Sequence, residues 1–386
     1  MLEKASSTIS SDLFSEIEEP YPFARIWVNG RHIFIDKILN DKQSPATPFE
    51  ESIFEFIKAW MGGQETFSLS TSGSTGTPKT ITVTRDQMRN SALLTKSKLG
   101  LRKNSTALLS LDPKYIAGKM MLVRSLLLGF KIMAVDPTSN PLIKIPVDKC
   151  VQFTAFVPYQ VHSILESKHP HLLNNLDKVL IGGAPLDSVA REKLNRFQCE
   201  CYETYGMTET VSHVALRLIN TNMKQQYFEA LPGVSFSLDE RGCLIVKADH
   251  LGQTVVTNDL VELIDDSKFV WLGRWDNVIN TGGVKVMPEK VEQQLETIFA
   301  RNNFPHRFFI AAVPDDKLGQ KVVLIIEGVQ ISSQLLKSSL DELKSILSPF
   351  EFPKEIYSIP TFPTTDTQKI DRIQTIAKAT LLPFTQ

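Results

Sequence analysis

The stretch Ser70-Thr71-Ser72-Gly73-Ser74-Thr75-Gly76-Thr77-Pro78-Lys79 concentrates hydroxyls, two glycines and one lysine in ten residues. Such a segment packs no core, but it can wrap an anion with backbone N–H groups, hydroxyls and an ammonium. Its spacing is not that of the common nucleotide P-loop, which needs four residues between its glycines and a Gly-Lys-Ser/Thr ending. Here only Ser74 and Thr75 separate Gly73 from Gly76, and Lys79 follows Pro78. Runs of this composition are most often solvated turns. The flanks argue otherwise: Phe67-Ser68-Leu69 and Ile81-Thr82-Val83-Thr84 read as short strands, and Asp86 to Leu99 as a helix. A loop clamped between strands can be a rigid phosphate cradle.

Three more segments carry chemistry. Tyr205-Gly206-Met207-Thr208-Glu209 sets a ring, a glycine, a hydroxyl and a carboxylate side by side, fit to stack a base, bond a phosphate and hold magnesium. The same run could be a polar loop before a helix capped by Thr208. Asp259 can accept two ribose hydrogen bonds and Arg274 can reach ribose or phosphate, although either alone is ordinarily a surface charge. Lys369, in Pro363-Thr364-Thr365-Asp366-Thr367-Gln368-Lys369-Ile370-Asp371-Arg372, would be merely solvated if read alone.

Taken in order, these segments resemble the signatures of the acyl-adenylate-forming (AMP-binding) enzymes: acyl-CoA synthetases, peptide-synthetase adenylation domains and luciferases. The resemblance implies a phosphate loop at Thr71, Ser72, Gly73, Ser74, Thr75, Gly76 and Lys79. It implies an adenine segment at Gly183-Ala184-Pro185, with Tyr205 and Gly206 against the base, Thr208 on the α-phosphate and Glu209 on Mg²⁺. Asp259 and Arg274 would hold the ribose, Asp276 would be a hinge, Gly282 and Gly283 would pass the pantetheine arm, and Lys369 would be the catalytic lysine. Asn258 stands where the family usually has Gly, Gln368 likewise, and Tyr115 falls near the family's aromatic or His gate. The implied reaction converts a carboxylic acid and ATP to acyl-AMP and pyrophosphate, then passes the acyl group to coenzyme A. Phe156-Val157-Pro158-Tyr159-Gln160-Val161 and Trp271–Gly283 are most similar to the o-succinylbenzoate–CoA ligases of menaquinone biosynthesis. The alternatives are another aryl- or medium-chain acyl-CoA synthetase, or a non-catalytic adenylate-binding relative. A second substrate carboxylate calls for a cation, with Lys114, Lys119 and Arg124 as candidates.

Size and pattern say how these residues must be carried. A chain of 386 residues suits two domains. It is short for the family, so residues 1–66 are expected to replace a longer region. Strand-like runs (106–111, 131–135, 153–157, 178–181) alternate with helical ones (116–128, 160–166, 186–197), which argues for an α/β sandwich. Hairpins follow at 255–256, 260–264 and 269–272. The tail offers helices at 288–299 and 332–347 and strands at 308–313 and 321–326, a compact α+β unit. The expected division is a large N-terminal α/β domain of acyl-CoA synthetase type at 1–275 and a mobile C-terminal α+β domain at 276–386. A net charge of −1 makes no electrostatic case for nucleic acid. No apolar run reaches membrane-spanning length. Four cysteines are too few for a disulfide framework and read as reduced, in a cytoplasmic chain.

Overall fold

The computed structural model describes residues 21–70, 80–220, 225–364 and 370–379. It opens with an antiparallel hairpin of β1 (Arg25–Val28) and β2 (Arg31–Phe34). The hairpin turns at Asn29-Gly30, both at positive φ, as a two-residue turn matched to strand twist requires. Helices α1 (Ile35–Leu39) and α2 (Pro48–Met61) follow. α2 starts where Thr47 accepts from the Glu50 N–H and Pro48 takes the first position. β3 (Thr66–Ser70) and β4 (Thr80–Thr84) form a separate antiparallel pair closed by Ser70 opposite Thr80. α3 (Arg85–Leu99) begins with a reciprocal Thr84–Gln87 capping box.

The alternation expected of an α/β domain comes next: β5 (Thr106–Leu109), α4 (Ile116–Leu128), β6 (Lys131–Ala134), β7 (Val151–Phe156), α5 (Pro158–Glu166), β8 (Leu176–Ile181), α6 (Ser188–Leu194) and β9 (Glu200–Gly206). An antiparallel run closes the large domain: β10 (His213–Leu218), β11 (Phe228–Ala230), β12 (Val234–Leu238), β13 (Cys243–Ala248), β14 (Val255–Asp265) and β15 (Lys268–Arg274). The two short strands expected at 255–264 are one long strand whose register shifts at a bulge between Leu260 and Val261. The helix expected at 186–197 is shorter, because Asp187 caps it by accepting from the Ala190 N–H.

Among the described residues these strands make one sheet in the order β12-β13-β14-β15-β11-β10-β9-β8-β7-β5-β6-β1-β2. From β9 to β1 every pairing is parallel. Parallel strands need cover on both faces, and the side chains alternate accordingly. Ala107, Leu109, Phe153 and Leu180 enter one core with Trp60, Met88 and Leu122, whereas Leu108, Phe156, Val179 and Ile181 enter another with Val161 and Ala190.

The smaller C-terminal domain holds β16 (Ile279–Thr281), β17 (Val284–Val286), α7 (Pro288–Arg301), β18 (Phe308–Asp315), β19 (Gly319–Glu327), α8 (Ser333–Ile346), β20 (Glu355–Ile359) and α9 (Arg372–Ala379). β19 is central, antiparallel to β18 and parallel to β20. α7 packs on α6 and β15 of the large domain. Among the described residues no helix is long and apolar enough to cross a membrane.

Glu296 of α7 faces the start of α6. Burial, then the charge of Asp187, raises its carboxyl from the ordinary 4.5 to about 7, against the opposing pull of Arg191. An acid whose native pKa is raised costs stability wherever it must ionise. That cost grows as pH climbs from 4.5 and is complete above about 7. Glu296→Gln is therefore expected to raise Tm over wild type at pH 8, with the gap narrowing toward pH 5 in parallel thermal scans. A gap independent of pH would contradict this.

Candidate functional site

Open parallel sheets bind ligands beyond the carboxyl ends of their strands. β8 and β9 are neighbours there, with Ile181 opposite Glu203, so the segments 182–185 and 206–210 leave the same edge side by side. Gly183, Ala184 and Pro185 are exposed. The run around Tyr205 is not a loop before a helix. It is the end of a central strand, in which Cys201, Glu203 and Tyr205 alternate inward, followed by a single turn at Thr208–Thr210.

That turn is tightly specified. A Cβ on Gly206 would lie 2.5 Å from the Ser212 carbonyl oxygen, so only glycine lets the strand end pass its return. Thr210 Oγ1 accepts from the Met207 N–H at 2.9 Å and donates to the Ser212 carbonyl at 2.8 Å. Val211 sits at φ 65°, a costly conformation for a β-branched residue. The result leaves Glu209 exposed at the tip, with Thr208 half-buried beside it.

Tyr205, 9% exposed, donates from its hydroxyl to Asp259 Oδ2 at 2.6 Å. Trp271 Nε1 donates to Asp259 Oδ1 at 3.3 Å. Burial, and then the Asp259 charge, push the Tyr205 phenol far above its usual range, so it remains a donor. Asp259 faces Arg274 across the β14–β15 ladder. Arg274 bonds Asp276 Oδ2 at 2.9 Å. Burial works against the Arg274 charge, but the Asp276 bond and the charges of Asp259 and Asp276 outweigh it and raise its pKa. Asn258, in place of the usual Gly, donates to both Asp276 oxygens at 3.2 and 3.3 Å. Its own Oδ1 is held by Arg241 at 2.9 Å.

Tyr205, Asp259, Arg274 and Asp276 thus form one connected group, with Gly183–Pro185, Gly206, Thr208 and Glu209 at the neighbouring strand ends. Gly282 and Gly283 lie in the β16–β17 turn, where Leu318 and Phe350 of the small domain flank Gly282. Thr71, Ser72, Gly73, Ser74, Thr75, Gly76, Lys79 and Lys369 fall outside the described residues. The ends of their segments are joined by the pairings Ser70–Thr80 and Thr364–Ile370.

The three candidate cations separate. Lys114 is exposed, and Lys119 Nζ is spent on the Pro113 carbonyl at 2.5 Å. Arg124 of α4 is 2% exposed. It bonds Thr95 Oγ1 at 3.3 Å and Ser212 Oγ at 2.8 Å, and no carboxylate pairs with it among the described residues. Burial alone pulls it down to about 9, still charged at neutral pH. Burial and the Arg124 charge keep the adjoining His213 neutral. Ser91, one turn before Thr95, has a buried hydroxyl without a partner among the described residues.

Sequence reasoning missed Glu203, Arg191, Arg217 and the Trp271–Asp259 bond. Glu203 had a legible signal: a carboxylate at an inward position of a period-two strand. Among the described residues no cluster of three or more His, Cys, Asp or Glu could hold a metal. Magnesium arriving with nucleotide phosphates needs only one or two carboxylates, a demand the exposed Glu209 fits.

A family model described as AMP-binding enzyme matches residues 66–257. A solved acyl-CoA synthetase (AMP-forming)/AMP-acid ligase II-like protein from Dyadobacter fermentans is 41% identical, with 88% of this chain and 97% of that chain covered and a TM-score of 0.59. The 2-succinylbenzoate–CoA ligase of Lactococcus lactis is 25% identical over 79% of this chain and 69% of its own length. The o-succinylbenzoate coenzyme A synthetase of Bacillus subtilis, solved with ATP and magnesium ion, is 19% identical. It shares the fold at a TM-score of 0.68, with 80% of this chain and 69% of that one covered. On the glycine-shaped strand end, the Tyr205–Asp259–Arg274 group and these likenesses together, the chain belongs to the AMP-binding enzyme family.

Proposed function

We propose that this protein is an ATP-dependent acid–CoA ligase acting on o-succinylbenzoate. The observation that carries the ligase reading is the convergence of Gly183–Pro185, Tyr205 and Thr208-Glu209 at one strand edge, tied through Asp259 to Arg274. A base fits between the exposed 183–185 backbone and Tyr205. The ribose hydroxyls meet Asp259 and Arg274, and Thr208 bonds the α-phosphate while Glu209 supports its Mg²⁺. Thr71, Ser72, Gly73, Ser74, Thr75, Gly76 and Lys79 cradle the leaving phosphates.

The acid's carboxylate attacks the α-phosphorus and displaces pyrophosphate. The barrier lies in bringing anions together, so the side chains act by position and charge. Lys369 donates to the crowded phosphate and carboxylate oxygens. The CoA thiol then attacks the acyl-adenylate carbonyl and AMP leaves, with Gly282-Gly283 giving the pantetheine arm close passage. The four-residue step between β15 and β16, which contains Asp276, is the hinge that exchanges the two settings.

Arg124 supports the choice of acid. A buried guanidinium is costly without a carboxylate partner, and among the described residues Arg124 bonds only the hydroxyls of Thr95 and Ser212, through two of its five donors. A second carboxylate reaching Ser212, just past Thr208-Glu209, would complete it. An aryl- or medium-chain monocarboxylic acid would leave it bare. The 2-succinylbenzoate–CoA ligases among the relatives point the same way.

Product assays with o-succinylbenzoate, benzoate, hexanoate and palmitate, each with and without CoA, test the reading. CoA-dependent formation of AMP and pyrophosphate is expected with o-succinylbenzoate, and turnover with palmitate alone would discard it. Lys369→Ala is expected to slow pyrophosphate formation about 100- to 1,000-fold. It should spare CoA transfer from supplied acyl-adenylate, and equal loss in both steps would remove Lys369 from its role. Arg124→Met is expected to raise KM for o-succinylbenzoate about 10- to 100-fold, with KM for ATP unchanged. An equal penalty on benzoate would assign Arg124 to structure instead.

A further inference from the structure

We propose that Glu203 is a nucleobase-positioning residue, a single buried carboxylate that fixes both walls of the slot assigned above to adenine. The inference rests on that reading and goes beyond it by naming what sets the slot's width.

Glu203 is 3% exposed in mid-β9. Its Oε1 accepts from the Leu186 N–H at 2.9 Å and from Arg191 at 3.0 Å. Its Oε2 accepts from Arg217 Nε at 2.9 Å and from the same guanidinium's terminal nitrogen. Pro185 has no N–H, so Leu186 offers the first backbone donor after the exposed 183–185 segment. Glu203 thereby anchors that segment at its root. The segment is also pressed onto β9 at its start, where a Cβ on Gly182 would come within 2.2 Å of Thr204 Oγ1.

The opposite wall is reached through Arg217. Its guanidinium lies 4.7 Å from the Phe228 ring centroid. Phe228 stacks on Phe269 at 5.5 Å, and Phe269 abuts the Tyr205 ring at 4.9 Å. The carboxylate therefore holds the loop wall by a direct bond and props the aromatic wall from behind. A charge that only filled the core would be a poor choice, since apolar side chains of the same volume do that at lower cost. Among the described residues, the bonds of Glu203 run to the root of the 183–185 segment, to the helix that follows it and to the guanidinium behind the aromatic wall.

Glu203→Gln keeps the shape and removes the charge. Arg191→Ala removes one donor from a half-exposed side chain and is the milder variant. Pyrophosphate release is measured against ATP, GTP, the acid and CoA, alongside Tm. The expected result for Glu203→Gln is a KM for ATP raised about 10-fold or more, KM for the acid unchanged, and a preference for ATP over GTP reduced by a similar factor. Arg191→Ala should move the same two quantities less. Unchanged KM for ATP and an unchanged ATP:GTP ratio in both variants, with only Tm lowered, would overturn the proposal and leave Glu203 a structural charge. If Glu203→Gln is insoluble, Arg191→Ala decides by the same readouts. Wild-type protein that releases no pyrophosphate with any acid would sink the adenylation reading itself, a failure separate from that of the variants.

Discussion

The hydrogen bond from Tyr205 to Asp259 joins the two halves of the large sheet. β9 ends the parallel series and β14 lies in the antiparallel run, far from it in strand order. Their polar groups meet at 2.6 Å, with the Tyr205 ring against Phe228 and Phe269 and the Trp271 indole on the other Asp259 oxygen. A buried carboxylate and a buried phenol are each expensive alone, and each satisfies the other. Because the bond spans both halves, it fixes where the edge carrying Thr208 and Glu209 stands relative to Arg274. The tight turn at Gly206 and the strained Val211 follow that strand end directly. They redirect the chain within a few residues, where the sheet leaves no room for a wider path.

Two other buried charges show how differently the fold treats ions. Glu203 is satisfied on both oxygens by two guanidiniums and a backbone N–H. Among the described residues Arg124 has hydroxyl partners only. The first pattern is a finished structural network with stakes for whatever it holds in place. The second is a charge that, among the described residues, meets neutral hydroxyls and no carboxylate. The contrast lies in the count of satisfied donors and acceptors, since both groups are almost wholly removed from water.

Between the domains, the chain crosses in four residues from β15 to β16. Asp276 in that step is held by Arg274 and by Asn258, and Arg241 braces Asn258 in turn. A glycine at position 258 would offer no such contact. The conformation seen here is therefore supported by a side chain the family pattern lacks. α7 also rests on α6 and β15 of the large domain, with Glu296 half-buried at the start of α6.

The alternating pattern of residues 106–206 was legible because parallel strands buried on both faces are continuous apolar runs separated by amphipathic helices. α4 falls where the sequence placed it, over Ile116–Leu128. The short strands β1 and β2 and the strands from β10 to β13 were not legible, since strand preference in such short segments is set by the neighbours they pack against. Tyr205, Thr208, Glu209, Asp259 and Arg274 were legible as residue types at family spacings. The meeting of Tyr205 with Asp259, the burial of Arg124 where Lys114 is exposed, and the bonding of Glu203 to Leu186, Arg191 and Arg217 were not. The sequence by itself determined which groups capable of this chemistry exist and the local order in which they occur. Only the tertiary structure decided which are desolvated and which are paired, because burial and partnership are set by contacts between separate elements, as Tyr205 with Asp259 and Arg124 with Ser212 show.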